Sequence, residues 1–467
     1  MLFNSLIFLV FLPIVFSIYW LLKPNYRNIF LLFASYYFYF SYNPWFLLLL
    51  IGTSSLDFYM AKAISATEHQ AKRKLLLLTS ILSNIGVLFI FKYFVFFYNS
   101  GISLFSENPS LLSNFIIPAG LSFYTFQSIS YTIDVYRGNY KANDKLTDFL
   151  LFVSFFPHMV AGPIMKHEVL MPQIKKQSYF KTINWESFAK LIIWGFFKKM
   201  VIADNLSLLV NPVFDNPNQF NSIELFLTGI LFLIQLYCDF SGYTDIASGV
   251  AKLFNINFSI NWKRPLLATS VIDYWKRHHI SLTTWFKDYV YISLGGNKVS
   301  TSRWIFNLII VFVISGLWHG ANYTFIIWGL LNGIIYAIES MINKRNLNLK
   351  IPKVITWAYS ISIISLFFIA FRASNISNLI DIYKGVFVTP KFNDGIDHIL
   401  SLQDRIFYPI ASLVILILFA KELTEEYQLN SKYIWLTKLS ATFYVIILLL
   451  IFIFGNFNAN TFIYFQF

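Results

Sequence analysis

The chain has 467 residues, of which 57% are hydrophobic and only 13% are charged, whereas soluble domains carry about 25% charged residues. Such a composition excludes a soluble globule and predicts an integral membrane protein with many helices. The net charge of +13 would suggest nucleic acid on a soluble chain. Here it indicates basic loops beside anionic lipid, so the bilayer and not nucleic acid is the expected partner.

Apolar stretches long enough to cross about 30 Å of hydrocarbon recur along the chain. They lie near residues 3–22, 28–42, 44–61, 75–98, 115–136, 187–210, 223–250, 323–341, 354–371, 406–420 and 433–454. Two further segments, 147–165 and 304–318, are short or interrupted, which is typical of re-entrant or broken helices. The first stretch has no basic start and no cleavage site, so it is interpreted as a membrane helix and not as a signal peptide.

These stretches predict one all-α polytopic membrane domain over residues 1–467, with about eleven to thirteen membrane helices. We divide it into N-terminal helices (1–136), a core (137–345) and C-terminal helices (346–467). Within the core, residues 252–303 mix tryptophans, basic residues and two adjacent histidines. That mixture is typical of interfacial or re-entrant helices.

Basic loops alternate with loops that contain no Lys or Arg. The basic ones are 23–27, 62–74, 137–147, 165–186, 252–303 and 342–353, and the neutral ones are 99–114, 211–224 and 455–467. The positive-inside rule then places the N-terminus outside and residues 252–303 on the cytoplasmic side. The outer loop 372–405 departs mildly, with four basic and four acidic residues.

His319 is the histidine with the strongest functional signal. It lies between two apolar runs whose outer flanks both look cytoplasmic, so the chain must turn near it. The arm 304–318 would span only about 22 Å as a helix, which places His319 within the depth of the membrane. An ionisable group there is a functional hypothesis by default; the alternative is a neutral histidine hydrogen-bonded between helices. Gly316 and Gly320 permit a close helix approach.

A second candidate pair is His278-His279. On a helix the two side chains would point about 100° apart, so only one of them should face a given cavity. The neighbouring Lys276 and Arg277 could meet an anionic group. The alternative is a basic interfacial helix that contacts lipid headgroups.

The remaining titratable residues are more ordinary. His69 and His398 fit solvated loops, and His158 and His167 lack a third clustered metal ligand. The single cysteine, Cys238, excludes a disulfide framework and a multi-cysteine metal site.

Asp239 and Asp245 lie late in an apolar helix, where each could pair with a basic residue or cap a helix break at Gly242. A structural role is favoured for both. No phosphate-binding loop or serine nucleophile elbow occurs, so a histidine is the best candidate base.

Several runs together resemble the membrane-bound O-acyltransferases, and within them the branch of the membrane subunit of bacterial alginate and polysaccharide O-acetyltransferases. The runs are 237–245, 274–292, 294–297 and 316–322, with weaker echoes at 1–5, 161–164, 371–373 and 462–467. The resemblance implies a multi-helix membrane fold around a central pore that carries two histidines.

The resemblance also implies roles for individual residues. His319 matches the histidine of the family's Trp-His-Gly motif and is the expected general base, and His279 matches its second polar position. His279 would orient the substrate or stabilise the developing oxyanion. His278 stands where these relatives usually have Trp. The candidate supporting residues are Trp318, Asn322, Asp239, Asp245 and His278.

The implied reaction begins with an acyl thioester such as acetyl-CoA, which approaches from the cytoplasm near Lys276 and Arg277. The acetyl group would pass outward to an esterase-like extracytoplasmic partner that modifies a polysaccharide. The expected location is the bacterial cytoplasmic membrane, with no bound cofactor and no metal. Two alternatives stay open: a transporter or flippase without acyl chemistry, and a teichoic-acid D-alanyl or lipid O-acyltransferase.

Overall fold

The computed structural model of the chain describes residues 1–105, 112, 115–345, 351–388, 407–429, 440–457 and 462–463. Its helices, numbered in chain order from α1 to α20, are Leu6–Leu21, Pro24–Phe40, Pro44–Ala66, Gln70–Leu88, Phe94–Phe105, Leu121–Arg137, Leu146–Ser154, Phe156–Met159, His167–Lys175, Trp185–Phe196, Asp204–Asp215, Ser222–Lys252, Val271–Arg277, Ile280–Trp285, Thr301–His319, Tyr323–Lys344, Lys353–Arg372, Ile376–Phe387, Phe407–Glu426 and Ser440–Phe454. Short π-helical segments occur at Phe89–Tyr93, Phe197–Ala203 and Phe286–Tyr291.

Six helical segments in the described part of the chain are long and apolar enough to cross a membrane. They are Pro44–Ala66, Gln70–Ile102, Ser222–Lys252, Thr301–His319, Tyr323–Lys344 and Lys353–Arg372. The chain is therefore an all-α, multi-pass membrane protein, as its composition predicts. The predicted total of eleven to thirteen also counts shorter apolar helices, such as α1 and α20, and broken segments.

The chain divides into two compact units, and α12 contributes to both. The first comprises Met1–Ile192 and Thr244–Ile260, and the second comprises Ile193–Tyr243 and Asn261–Phe467. The single-domain division into 1–136, 137–345 and 346–467 stays a prediction.

Capping residues and aromatic packing define the helices of the first unit. Asn43 caps α3 by accepting a hydrogen bond from the Trp45 amide at 3.0 Å, and Pro44 occupies the first helical position, where its fixed φ suits a helix start. The ring of Phe38 packs 5.6 Å from that of Phe156 in the interior.

The segment 147–165 is broken, as predicted, between α7 and α8. The amide of Phe156 at the break donates to the Ser35 hydroxyl at 3.1 Å. This bond matters because a buried amide without a partner is costly in an apolar interior.

The second unit contains a hairpin of α15 and α16 beside a core that includes Phe232, Trp328 and Phe368. The expectation that 304–318 is a short or interrupted arm is wrong. Helix α15 runs without a break over 19 residues, about 28 Å, because polar residues at its start extend the helix beyond the apolar run.

Some predicted segments fall partly outside the described residues. These are the loops 99–114 and 372–405 that we predict to be outside, the latter with His398, the basic loop 342–353 and the starts of the stretches 406–420 and 433–454. The tail 455–467 is also partly outside them, and of its motif 462–467 only Phe462 and Ile463 are described.

Candidate functional site: an aromatic cavity with three histidines

A break between two short helices positions His278 and His279. Helix α13, capped by the Ser270 side chain, ends at Arg277, and α14 begins at Ile280. His279 adopts a left-handed backbone with φ of +44°, a conformation that is costly for residues other than glycine. The expectation that only one of these histidines faces a given cavity is wrong. It assumed a continuous helix, whereas the break turns both rings toward the same cavity.

His319 is the last residue of α15, and the tight hairpin with α16 holds it in place. A Cβ on Gly316 would collide with the Phe325 carbonyl oxygen, and one on Gly320 would collide with the Phe325 ring. Both glycines therefore permit the predicted close approach of the two arms.

Two predicted supporting residues flank His319 without lining the cavity. Asn322 caps α16: its Oδ1 accepts from the Thr324 amide at 3.1 Å, and its Nδ2 donates to the Ser374 carbonyl oxygen at 2.8 Å. Trp318 is buried, with its ring 6.4 Å from that of Phe286. Through these contacts, Asn322 and Trp318 pack and cap the helices next to His319.

A cavity of about 580 Å³ in the second unit is lined by His278, His279 and His319 together. Its walls are mainly aromatic and include Phe240, Trp275, Phe286, Trp328, Phe368 and Phe371. The volume lies within the usual range for small-molecule sites, about 300–1,000 Å³. The structure thus brings together the three histidines that the sequence singled out most strongly.

The cavity extends along α15, because both Trp304 near its start and His319 at its end line the wall. Fifteen residues of helix correspond to about 22 Å. Lys276, Lys287 and Asn297 also line the cavity and are exposed. No acidic residue occurs among the described lining residues, so the charged groups of the wall favour an anionic ligand.

The two adjacent histidines lie outside the six candidate membrane spans. Burial lowers the pKa of His279 to about 3. Burial, followed by the proximity of His279, lowers the pKa of His278 well below its ordinary value. Both imidazoles are therefore neutral near pH 7, because desolvation disfavours the charged form.

Arg277 does not line the cavity, unlike its neighbour Lys276. Its guanidinium forms ion pairs with Asp273 at 2.8 Å and with Glu426 at 3.0 Å. Lys287, which sequence reasoning missed, lines the cavity instead. It lies on the π-helical segment Phe286–Tyr291, and its signals in the sequence are its positions in the basic, aromatic stretch 252–303 and in the family-like run 274–292.

Asp239 is the buried carboxylate of an ion pair. Lys199 Nζ lies 2.5 Å from Asp239 Oδ1 and 2.8 Å from Asp204 Oδ1, and the Ile463 amide donates to Asp239 Oδ2 at 2.8 Å. Of the two structural interpretations, pairing with a basic residue is correct for Asp239. A helix break at Gly242 is wrong, since α12 is continuous there.

Asp245 belongs to the first unit, is half-buried and does not line the cavity. Among the residues that the structure describes, no group of three or more His, Cys, Asp or Glu side chains is placed to hold a metal ion. The polar groups of the cavity wall include imidazoles, hydroxyls, amines and the amide of Asn297.

The residues that line the cavity lie within a segment that matches a known protein family. Residues 145–372 match the profile of the membrane-bound O-acyltransferase family. A protein of Pseudomonas aeruginosa named as a probable alginate O-acetylase is 37% identical over 83% of this chain and 75% of its own length. The peptidoglycan O-acetyltransferase of Helicobacter pylori is 32% identical over 83% of this chain and 80% of its own length.

A third relative, the teichoic acid D-alanyltransferase of Bacillus subtilis, is 25% identical over 50% of this chain and 61% of its own length. All three histidines of the cavity lie within the residues that match the family profile.

Proposed function

Because the chain belongs to the membrane-bound O-acyltransferase family, we propose that it moves an acetyl group from a cytoplasmic thioester towards a hydroxyl group outside the bacterial cytoplasmic membrane. The observation that carries this proposal is the cavity, which has His319 at the end of α15 and two lysines in its wall. An aromatic enclosure excludes water and so suppresses hydrolysis of a thioester.

In the proposed reaction, the oxygen of the acceptor hydroxyl attacks the carbonyl carbon of the thioester while His319 accepts the hydroxyl proton. The π electrons of the carbonyl move onto its oxygen and return when the C–S bond breaks. The departing sulfur then takes the proton from His319. An oxygen ester and a thiol are the products. His279 is the predicted residue that orients the substrate or stabilises the oxyanion.

The donor is proposed to be acetyl-CoA or another acyl thioester, with its phosphates held by Lys276 and Lys287. Arg277, the other predicted donor-binding residue, is engaged by two carboxylates, which makes it the weaker candidate. With the N-terminus outside, the positive-inside rule places the lysines on the cytoplasmic side.

The acceptor is proposed to be a cell-surface polysaccharide, reached through an esterase-like extracytoplasmic partner. The coverage of the relatives favours this over D-alanylation. The alginate and peptidoglycan O-acetyltransferases align with at least three quarters of their own length, against 61% for the D-alanyltransferase.

The test compares His319→Ala with His158→Gln at equal membrane abundance. His158 is a suitable control because it is buried in the first unit and hydrogen-bonded to Gln127 at 3.1 Å. We expect His319→Ala to lower the cell-surface O-acetyl ester content by about 100-fold or more, since general-base catalysis contributes that much. His158→Gln should retain ester content in proportion to its abundance.

Normal ester content in the His319→Ala strain would contradict the catalytic role. That result would favour a transporter without acyl chemistry.

A further inference from the structure

His278 lines the cavity, and it is hydrogen-bonded to Tyr274, which is buried behind the wall. The Tyr274 hydroxyl oxygen lies 2.7 Å from Nδ1 of His278. The backbone also joins the two residues, because the His278 amide donates to the Tyr274 carbonyl oxygen at 2.8 Å. The two residues are thus joined by one side-chain hydrogen bond and one backbone hydrogen bond across a single helical turn.

His278 and His279 differ in what their ring nitrogens can reach. Both nitrogens of His279 are enclosed by protein atoms, and its ring lies edge-on to Phe240 at 4.6 Å. His278 has Nδ1 engaged by Tyr274 while its ring lines the cavity. Nε2 of His278 is therefore the ring nitrogen that can meet a ligand, which leaves His279 to orient the substrate and not to hydrogen-bond the oxyanion.

The hydrogen bond with Tyr274 links the direction of donation to the tautomer of His278, because the two arrangements place the hydrogen on opposite ring nitrogens. Tyr274 is fully buried, and a buried phenol hydroxyl needs an acceptor. A neutral imidazole offers one acceptor nitrogen and one N–H donor. When Nδ1 accepts from the phenol, Nε2 must carry the hydrogen, so His278 presents a neutral N–H donor.

Aromatic packing fixes the direction of that donor. Besides the stacked ring of Tyr274 at 4.9 Å, three rings pack around His278: Trp262 at 4.6 Å, Trp275 at 5.3 Å and Phe368 at 5.9 Å between centroids. A donor that is already oriented in a water-poor site stabilises developing negative charge without reorganising during the reaction.

The same aromatic wall connects His278 to the proposed base. Phe368 packs 5.7 Å from Trp328, and Trp328 packs 5.1 Å from His319. Both histidines line the one cavity, and the rings of Phe368 and Trp328 form the wall between them.

We propose that His278 is a further catalytic residue, whose Nε2–H donates to the carbonyl oxygen of the acyl group, and that Tyr274 is its positioning residue. This inference rests on the proposed acyl transfer. The donated hydrogen stays on Nε2. The negative charge that it stabilises appears when the acceptor oxygen bonds to the carbonyl carbon and disappears when the C–S bond breaks.

The experiment uses two variants of nearly equal size, His278→Gln and His278→Met, in cells with matched membrane abundance. Glutamine keeps an N–H donor and methionine has none. We expect His278→Met to lower the initial rate of O-acetyl ester formation by about 100-fold, the usual loss for one oxyanion donor. His278→Gln should restore at least a tenth of the wild-type rate.

A spectroscopic measurement tests the positioning role of Tyr274 separately from folding. In the purified full-length protein labelled with ¹⁵N-histidine, the His278 shifts should report a hydrogen on Nε2. Tyr274→Phe keeps the ring but removes the phenol donor, so it should mix the two tautomers and lower the ester rate about tenfold. A purely packing role would leave the tautomer unchanged.

Equal rates for the glutamine and methionine variants would overturn the proposal, as would a wild-type hydrogen on Nδ1. Should both His278 variants fail to accumulate, the tautomer of the wild-type protein and of Tyr274→Phe still decides. His319→Ala separates the two claims. If it is inactive while His278→Met is active, only the His278 assignment fails, whereas an active His319→Ala removes the proposed function itself.

Discussion

Buried polar side chains occur in both units, but they are satisfied in different ways. In the first unit, Asp57 is fully buried, and its two oxygens accept hydrogen bonds from Ser80, from Asn84 and from Ser128. In the second unit, His278 has one nitrogen engaged by Tyr274 and lines a cavity.

The difference separates a buried polar group that is saturated by the protein from one that lies against a cavity. Neither Asp57 nor His278 is more than 6% exposed, so burial does not separate them. What separates them is whether the hydrogen-bonding capacity is used up within the protein. A carboxylate with donors on both oxygens stabilises the helices around it, whereas an imidazole nitrogen facing a cavity can act on a ligand.

The largest expected effect concerns the saturated cluster of the first unit. Asp57→Ala should lower the stability by about 3 kcal/mol, because buried donors on Ser80, Asn84 and Ser128 lose their acceptor. Asp57→Asn should cost less, since its amide oxygen still accepts. Thermal unfolding of the purified protein in detergent measures both, with ester formation per folded molecule expected to remain at the wild-type level.

A fall in specific activity without a fall in stability would contradict the structural interpretation of this cluster. It would also show that full hydrogen bonding within the protein does not distinguish Asp57 from a residue that acts on a ligand.

A smaller effect is expected from the charges at the cavity. The double variant Lys276→Ala/Lys287→Ala should weaken binding of acetyl-CoA to the purified protein about tenfold, or about 1.4 kcal/mol. The loss should diminish at high salt, which screens exposed charges. Arg277→Ala is the matched comparison, because its guanidinium is already paired with Asp273 and Glu426.

Arg277→Ala should lower the thermal midpoint and leave the dissociation constant nearly unchanged. If Arg277→Ala weakens acetyl-CoA binding as much as the double lysine variant does, ion pairing with Asp273 and Glu426 does not prevent Arg277 from binding the donor.

The smallest expected effect concerns an ion pair of the first unit that lies outside the membrane spans. The Asp144 carboxylate accepts hydrogen bonds from His167 at 2.7 Å and from Lys175. The Tyr131 hydroxyl lies 3.5 Å from Asp144 Oδ2. Burial acts to raise the pKa of Asp144, but His167 and Lys175 outweigh it and lower the pKa below its ordinary value.

A lowered pKa means that this stabilisation is present above the ordinary aspartate pKa of about 4 and is lost as the pH falls through the lowered value. At pH 7, Asp144→Asn should be less stable than the wild type by about 1 kcal/mol. The difference in thermal midpoint between the two proteins should close as the pH falls below about 4. Glu186→Gln is the control, because Glu186 forms an exposed ion pair with Lys190. Its thermal midpoint should equal that of the wild type across this pH range.

Much of the fold follows from the sequence because the bilayer imposes strong rules. A long apolar run must form a helix there, since no water is available for its backbone groups. The break in 147–165 was also predictable from its length and interruption. The length of helix α15 was not predictable, because its first three residues are polar and add length that an apolar window does not count.

The site was predictable in its residue types but less so in its geometry. His319 stood out through its position between apolar runs with cytoplasmic flanks. By contrast, helical periodicity predicts that His278 and His279 point in different directions, whereas both line the cavity. The left-handed backbone at His279 could not be predicted, because neither glycine nor asparagine occupies that position. Lys287 carried no motif that separated it from the other basic residues nearby.

By itself, then, the sequence determined that the chain is a multi-pass helical membrane protein and which short runs resemble those of its family. Hydrophobic length and charge distribution act locally along the chain, so they can be read from it directly. Only the tertiary structure decided that Lys276 and Lys287 reach the cavity while Arg277 and Asp239 are bound in ion pairs. Those outcomes depend on partners far away in the chain, such as Glu426 and Lys199, which no local pattern brings together.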